Sequence, residues 1–223
     1  LRVRPSERDP FTCANPWLTV HIPDDAASGT YRAPVTVSAQ NAPETVLTLE
    51  VVVPGFDLLP PKFEYSVYYP VVLLRDDMSE AEIARFNPLT ERQYLAELRN
   101  MMAHGCTNPN IYAGAQLDKN GHIAFTQLSR CLDLREKVGM GPGGPIYIFT
   151  GGGVIMRSDP LTAQENRSSA EATRKVVAWA RARGYSDVYF MGLDEYSGER
   201  LRAERDSFEA IHDGGGKKFV ACY

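Results

Sequence analysis

The sequence predicts an α/β chain in two parts: a β-sandwich remnant, then a unit built on a parallel sheet. Three observations carry this reading. Between residues 17 and 53, apolar and polar side chains alternate with period two, the pattern of half-buried antiparallel strands. At Pro60-Pro61 the alternation stops, because consecutive prolines remove ladder donors and stiffen the chain. Beyond them, short apolar runs alternate with helical stripes closed by glycine. Repeated strand-helix units imply a parallel sheet.

Residues 1–16 are polar and punctuated by proline, and read as an irregular entry segment. Three strand-like runs follow: WLTVHI, GTYRAPVTVSA and ETVLTLEVVV, separated by the turn-forming DDAASG and QNAP. Tyr31, Val35 and Val37 alternate with Arg32, Thr36 and Ser38, and Leu47, Leu49, Val51 and Val53 with Thr48 and Glu50. A sandwich of this kind uses about seven strands, so residues 1–58 are expected to be the closing part of one. The other strands would precede Leu1 in a longer parent, or these three would lean on the next domain.

From residue 62 to 223 the grammar changes. Residues 65–74 form the first buried-looking run, and a charged insertion at 76–87 has helical character around 79–85. Thr90 and Gln93 fit a capping box, with Leu95, Leu98 and Met102 on the stripe behind it. The second strand is expected at 110–113, and its helix at 125–138 through Leu128, Cys131, Leu132 and Arg135. PIYIFT (145–150) is the third strand. Ser168 and Glu171 fit a second capping box, opening a helix through Ala172, Val176, Trp179 and Ala180 to Gly184. Residues 188–193 are the fourth strand, 199–212 a helix, and KFVACY (218–223) the start of a fifth strand.

Two architectures accommodate this order. A (β/α)8 TIM barrel needs eight units and about 250 residues, and four units plus a strand are present. A doubly wound five-stranded sheet would be complete at this length, but nothing follows its last strand to cover a face. Truncation on both sides explains this deficit and that of the sandwich together, so the chain reads as an internal fragment.

Composition narrows the function classes. The 223 residues are 43% hydrophobic with a net charge of −4, ordinary globular values without the concentrated basic surface that nucleic-acid binding requires. No run of about 18 apolar residues suggests a membrane span. Cys13, Cys106, Cys131 and Cys222 form no CxxC, and the four histidines are scattered, so neither a zinc site nor a dense disulfide framework is expected. No cofactor is implied. GMGPGGP (139–145) and TGGGV (150–154) lack P-loop or dinucleotide-binding spacing and read as turns or close backbone approaches. Asn166-Arg167-Ser168 is a formal glycosylation sequon. The expected compartment is extracellular or periplasmic, with no signal peptide in this sequence.

The chemistry concentrates in DVYFMGLDEYSGER (187–200), an apolar run ending in Asp194-Glu195. If the run is a parallel strand, both carboxylates emerge at its carboxyl end, where α/β folds assemble their sites. Adjacent acids repel, which favours keeping one protonated, and a protonated Glu is what a leaving glycosidic oxygen needs. The bland alternative has Asp194 capping the next helix and Glu195 solvated. Tyr112, Tyr196 and Tyr223 lie near expected strand ends, where rings can stack on sugars or simply complete a core.

This combination resembles glycoside hydrolase family 123 and related proteins with the same catalytic domain. The resemblance rests on the sandwich-like stretch IPDDAASGTYRAPVTVSA…LTLEVVVPGFDLLP and on GLDEYSGERL, and spans about Leu18 to Tyr223. It implies the first half of a (β/α)8 barrel behind the sandwich remnant. The implied activity is removal of terminal β-linked N-acetylhexosamine, N-acetylgalactosamine in particular. Retention would come from attack by the substrate's own 2-acetamido group, with no enzyme nucleophile. On that resemblance Glu195 is the general acid/base, and Asp194 orients the acetamide and stabilises its developing charge. The rest of the barrel would come from the parent chain or another subunit, and the fragment alone is expected to be inactive. The alternatives are a non-catalytic glycan-binding or structural module, and a conventional retaining glycosidase whose nucleophile lies beyond residue 223.

Overall fold

A computed structural model of the chain describes residues 18–39, 41–57, 59, 62–112, 116–117, 122–149, 162–192 and 195–219. The chain divides into two compact units, residues 1–61 and 62–223.

In the first unit, β1 (Gly29–Ala39) and β2 (Ala42–Val53) pair antiparallel from Gly29↔Val53 to Ala39↔Ala42, with a shift in register after Val37. Tyr31, Ala33 and Val35 lie across from Val51, Leu49 and Leu47. Arg32 and Glu50 pair on the other face at 2.6 Å. The third expected strand does not form: residues 18–23 make no ladder. Val20, Ile22, Pro23 and Ala26 instead line an apolar groove of about 260 Å³ together with Tyr31 and Leu49. Leu18, Val20 and Ile22 stay exposed, so the alternation in WLTVHI is matched by neither a ladder nor burial among the described residues.

In the second unit, residues 65–74 also fall short of a regular strand. They contribute one parallel bridge, Leu73↔Leu89, and the Val67 carbonyl accepts from the Asn110 amide at 3.1 Å. Pro70 sits inside the run and has no amide to donate. Helix α1 (Glu80–Phe86) is opened by a capping box between Ser79 and Glu82 and closed by Asn87 in the left-handed region. Helix α2 (Glu91–Ala103) opens on the Thr90–Gln93 box and buries Tyr94 and Leu98.

Ile111 bridges to Ile148. A small antiparallel pair, β3 (Gln116–Leu117) and β4 (Ile123–Ala124), then precedes α3 (Thr126–Glu136). That pair has no counterpart in the sequence reading, because two-residue strands leave no measurable period. Leu128, Cys131, Leu132, Leu134 and Arg135 of α3 are buried. After β5 (Ile146–Ile148), α4 (Ala163–Ala182) begins six residues before the expected Ser168 box. Thr162 and Glu165 satisfy the same capping pattern and take the role, which leaves Ser168 inside the helix. Past β6 (Val188–Met191), the expected single helix is two, α5 (Gly198–Ala203) and α6 (Arg205–Asp213), broken at the buried Glu204. Strand β7 is Lys217–Phe219, and the rest of the expected fifth strand lies outside the described residues.

Strands β5, β6 and β7 form a parallel sheet in that order, with Ile148↔Phe190 and Met191↔Phe219 in register. With Ile111 beside Ile148, neighbours follow chain order from residue 111 to 219. Ile146, Ile148, Val188 and Phe190 join Val176 and Ile211 in the core. Among the alternate residues, Tyr147 contacts both Tyr189 and Phe219, at 5.0 Å and 5.8 Å between ring centres.

The turn from α6 into β7 requires glycine for reasons of space. A Cβ on Gly214 would lie 2.4 Å from the Thr173 Cβ and 2.7 Å from the Ala170 carbonyl oxygen. One on Gly216 would lie 2.8 Å from the Phe190 ring. These contacts seat α4 directly against the α6–β7 turn and so fix where β6 ends.

Candidate functional site

Of the residues singled out from the sequence, Tyr112, Glu195 and Tyr196 are described: Tyr112 follows the Ile111 bridge, and Glu195 and Tyr196 lie past the carboxyl end of β6. Met191 ends β6, and the next amide, Gly192, donates to the Phe219 carbonyl at 2.8 Å. Leu193 and Asp194 lie outside the described residues, so the expected role of Asp194 has no geometry attached. Glu195 is exposed and has φ 58°. Among the described non-glycine residues only Asn87 shares a positive φ, and Asn87 is a helix C-cap, for which Asn is suited. Glu has no such local excuse. Holding it there costs about 1–3 kcal/mol, which surrounding structure must offset.

Tyr196, next in the chain, is half-buried. The guanidinium of Arg200 lies 3.8 Å from its ring centre and donates to its hydroxyl. Arg200, on α5, therefore holds the ring of the residue that follows Glu195. The remaining basic residues of α5 and the start of α6 pair with acids, Arg202 with Glu199 and Arg205 with Glu209.

Tyr112 directly follows the Ile111 bridge and stacks on Phe149, with ring centres 4.0 Å apart and planes 9° from parallel. Tyr68 meets Phe149 at 5.3 Å and 72°, and its hydroxyl lies 4.0 Å from the Met191 sulfur. Three rings and a buried thioether thus form a corner at the ends of adjacent segments. The sequence reading named Tyr112 but missed Tyr68 and Phe149. Their signal was present: Phe149 is the penultimate residue of PIYIFT, one past the last buried strand residue. Tyr68 lay hidden in a run read as uniformly buried, although its own exposure is 50%. Tyr223 lies outside the described residues.

Among the described residues, the other motifs contribute nothing to this site. The 139–145 stretch joins α3 to β5, with Gly139 at φ 90° and the Gly143 amide on the Gly184 carbonyl. The glycines at 151–153 lie outside the described residues. Asn166 is inside α4 with its Oδ1 buried, an awkward setting for a glycan acceptor. Cys106 and Cys131 are free thiols, and burial pushes the Cys131 thiol up to about 11, away from reactivity. Among the described residues, no three His, Cys, Asp or Glu side chains converge as metal ligands, and no helix is long and apolar enough to cross a membrane.

Comparison with known proteins gives no matching family model, no matching curated protein and no matching solved structure.

Proposed function

We propose that the chain is a carbohydrate-active enzyme fragment, a sandwich remnant followed by the first half of a (β/α)8 barrel, acting on terminal β-linked N-acetylhexosamine. The observation that carries the reading is the backbone of Glu195. It is a carboxylate held in the left-handed region four residues beyond the carboxyl end of β6, where α/β enzymes place their chemistry. Strain of this kind accumulates where orientation matters more than stability. Support for the half barrel comes from the sheet, whose segments neighbour one another in chain order without the reversal that defines a doubly wound fold. Tyr147, Tyr189 and Phe219 would then belong to the barrel interior, and the remaining strands would come from the parent polypeptide or another subunit.

In this reading Glu195 protonates the glycosidic oxygen as the bond to the anomeric carbon breaks. The substrate's acetamido oxygen closes on that carbon from the opposite face, and Asp194 orients the acetamide. Glu195, now a carboxylate, takes a proton from the water that opens the oxazolinium-type intermediate, restoring its starting state. N-acetylgalactosamine is the expected sugar, and an extracellular or periplasmic setting the expected compartment.

The test is release of an aryl β-N-acetylhexosaminide by the parent protein and its Glu195→Gln and Asp194→Asn variants. Loss of about 10²-fold or more in kcat for Glu195→Gln is expected. Unchanged turnover removes Glu195 from the mechanism, and equal cleavage of hexosides without the acetamido group excludes substrate assistance. A non-catalytic glycan-binding module is the second reading, favoured by the aromatic corner taken without Glu195. Retained saccharide binding with no turnover in any variant or in the wild type would select it.

A further inference from the structure

Phe149 occupies a position that neither a packing role nor the proposed chemistry accounts for. It is only half-buried, one residue beyond Ile148, at the open end of the sheet. One face of its ring is covered by Tyr112 almost in parallel, and Tyr68 stands against it at 72°. Tyr68 is held from a second direction by the buried Met191 sulfur. A tyrosine ring at a segment end ordinarily rotates about two torsions, and each rotation must be stopped when a ligand is bound. Here the stop is built in: Phe149 fixes the tilt of Tyr112, and Phe149 with Met191 fixes that of Tyr68. The product is two tyrosine walls roughly perpendicular to one another. A wall of this kind suits a ligand with one apolar face and a polar rim, which describes a pyranose ring better than a fully apolar guest.

We propose that Tyr68 and Tyr112 are the two walls of one stacking subsite for a pyranose ring, and that Phe149 is the positioning residue that sets the angle between them. The proposal rests on reading the Glu195 end of the sheet as a carbohydrate site. It goes further in naming which side chains touch the sugar and which acts only through them. Phe149 touches no sugar atom in this arrangement, and its effect reaches the ligand through Tyr112. Truncating it removes one of the contacts that orient each ring without removing either contact surface.

The test is saccharide affinity of the parent protein, measured calorimetrically with free N-acetylgalactosamine and, by KM, with an aryl glycoside of the same sugar. Phe149→Ala and Tyr68→Ala are each expected to weaken binding about fivefold or more, with kcat changed less than KM. Phe149→Tyr, which keeps the ring, is expected to restore wild-type affinity, and a purely structural role in stability would not produce that split. Phe149→Ala binding within twofold of wild type, with an unchanged far-ultraviolet spectrum, overturns the proposal. If Phe149→Ala does not fold, Tyr68→Leu supplies the same comparison, and unchanged affinity there overturns it equally. The two readings fail separately. Corner variants that bind normally while Glu195→Gln is dead remove only the subsite, whereas corner-dependent binding with an active Glu195→Gln removes only the catalytic assignment.

Discussion

Arg135 donates through Nη2 to Oδ1 of Asn108 at 2.7 Å, with both side chains buried. The amide of Asn108 in turn donates to Glu64 Oε1 at 3.0 Å and to the Pro145 carbonyl at 2.8 Å. A guanidinium on α3 thus reaches an exposed carboxylate through one asparagine, beside the amino end of β5. Tyr147 also donates to Glu64, at 2.8 Å, tying the sheet to the same carboxylate. Burial pulls the Arg135 pKa below its ordinary value, which marks how weakly the charge is compensated in place.

Asn108 is therefore predicted to matter more than its size suggests. Asn108→Ala leaves a buried guanidinium donor without this acceptor and should cost about 1–3 kcal/mol. Adding Arg135→Met to Asn108→Ala should recover part of that loss, because the stranded charge is gone. Chemical denaturation of the two singles and the double checks this, and simple additivity would show that the two side chains are not coupled.

Glu195 is predicted to trade stability for orientation. Glycine accepts φ 58° without a steric penalty, so Glu195→Gly should raise unfolding free energy by about 0.5–1 kcal/mol while removing turnover. Glu195→Asn should do so more weakly, since Asn tolerates the left-handed region. A loss of stability in both would mean that Glu195 makes a contact outweighing its backbone strain.

Gly214 admits no side chain. Gly214→Ala would drive a methyl into Thr173 and the Ala170 carbonyl, and the overpacking should cost about 1–3 kcal/mol. The neighbouring Gly215, at φ 80° with only a 3.9 Å contact to Val177, provides a control of different origin. Its alanine variant pays for conformation and not for space. Removing the Thr173 methyl with Thr173→Ser should relieve the first variant only in part, because the Thr173 Cβ and the Ala170 carbonyl oxygen remain, and should leave the second unchanged, which thermal unfolding reads directly.

Lys218 makes stability pH-dependent. Burial lowers its amine to about 8, against an opposing pull from Glu204, and the amine sits 5.2 Å from the Phe208 ring centre. The unfolded amine titrates near 10.4. Below pH 8 both states hold the proton, and the cost of burying the charge is fully present. Between about 8 and 10.4 the unfolded chain binds more protons than the folded one, so unfolding free energy rises with pH. The difference in stability between wild type and Lys218→Met should therefore climb by about 1–3 kcal/mol across that window. Denaturation at pH 7.5 and pH 10.5 measures it, and a flat difference would show that the amine is solvated.

Much of the local structure was legible because its cause is local. Thr90 and Gln93 marked the start of α2 through a hydrogen-bond pair three residues apart, and Gly139 marked the end of α3 through a conformation that other residues resist. Where two local signals competed, the sequence could not rank them: Thr162–Glu165 and Ser168–Glu171 carry the same pattern, and the longer helix won. Apolar runs were read as strands at 17–22 and 65–74, yet neither forms a regular strand among the described residues, and Val20, Ile22, Tyr65 and Val67 stay exposed. Pro70 and the lack of a ladder partner left both irregular.

What the sequence determined by itself was mixed strand and helix content past Pro61, the helix signals at Thr90 and Gly139, and the candidacy of Glu195 as a residue beyond a buried apolar run. What only the tertiary structure decided was which residues meet. The pairing of Phe149 with Tyr68 and Tyr112, the seating of Gly214 on Thr173, and the reach of Arg135 to Asn108 join positions between 27 and 81 apart in the chain. No periodicity spans such distances. They follow from the order in which parallel segments pack, and that order is set by the burial of a shared core rather than by any one stretch of residues.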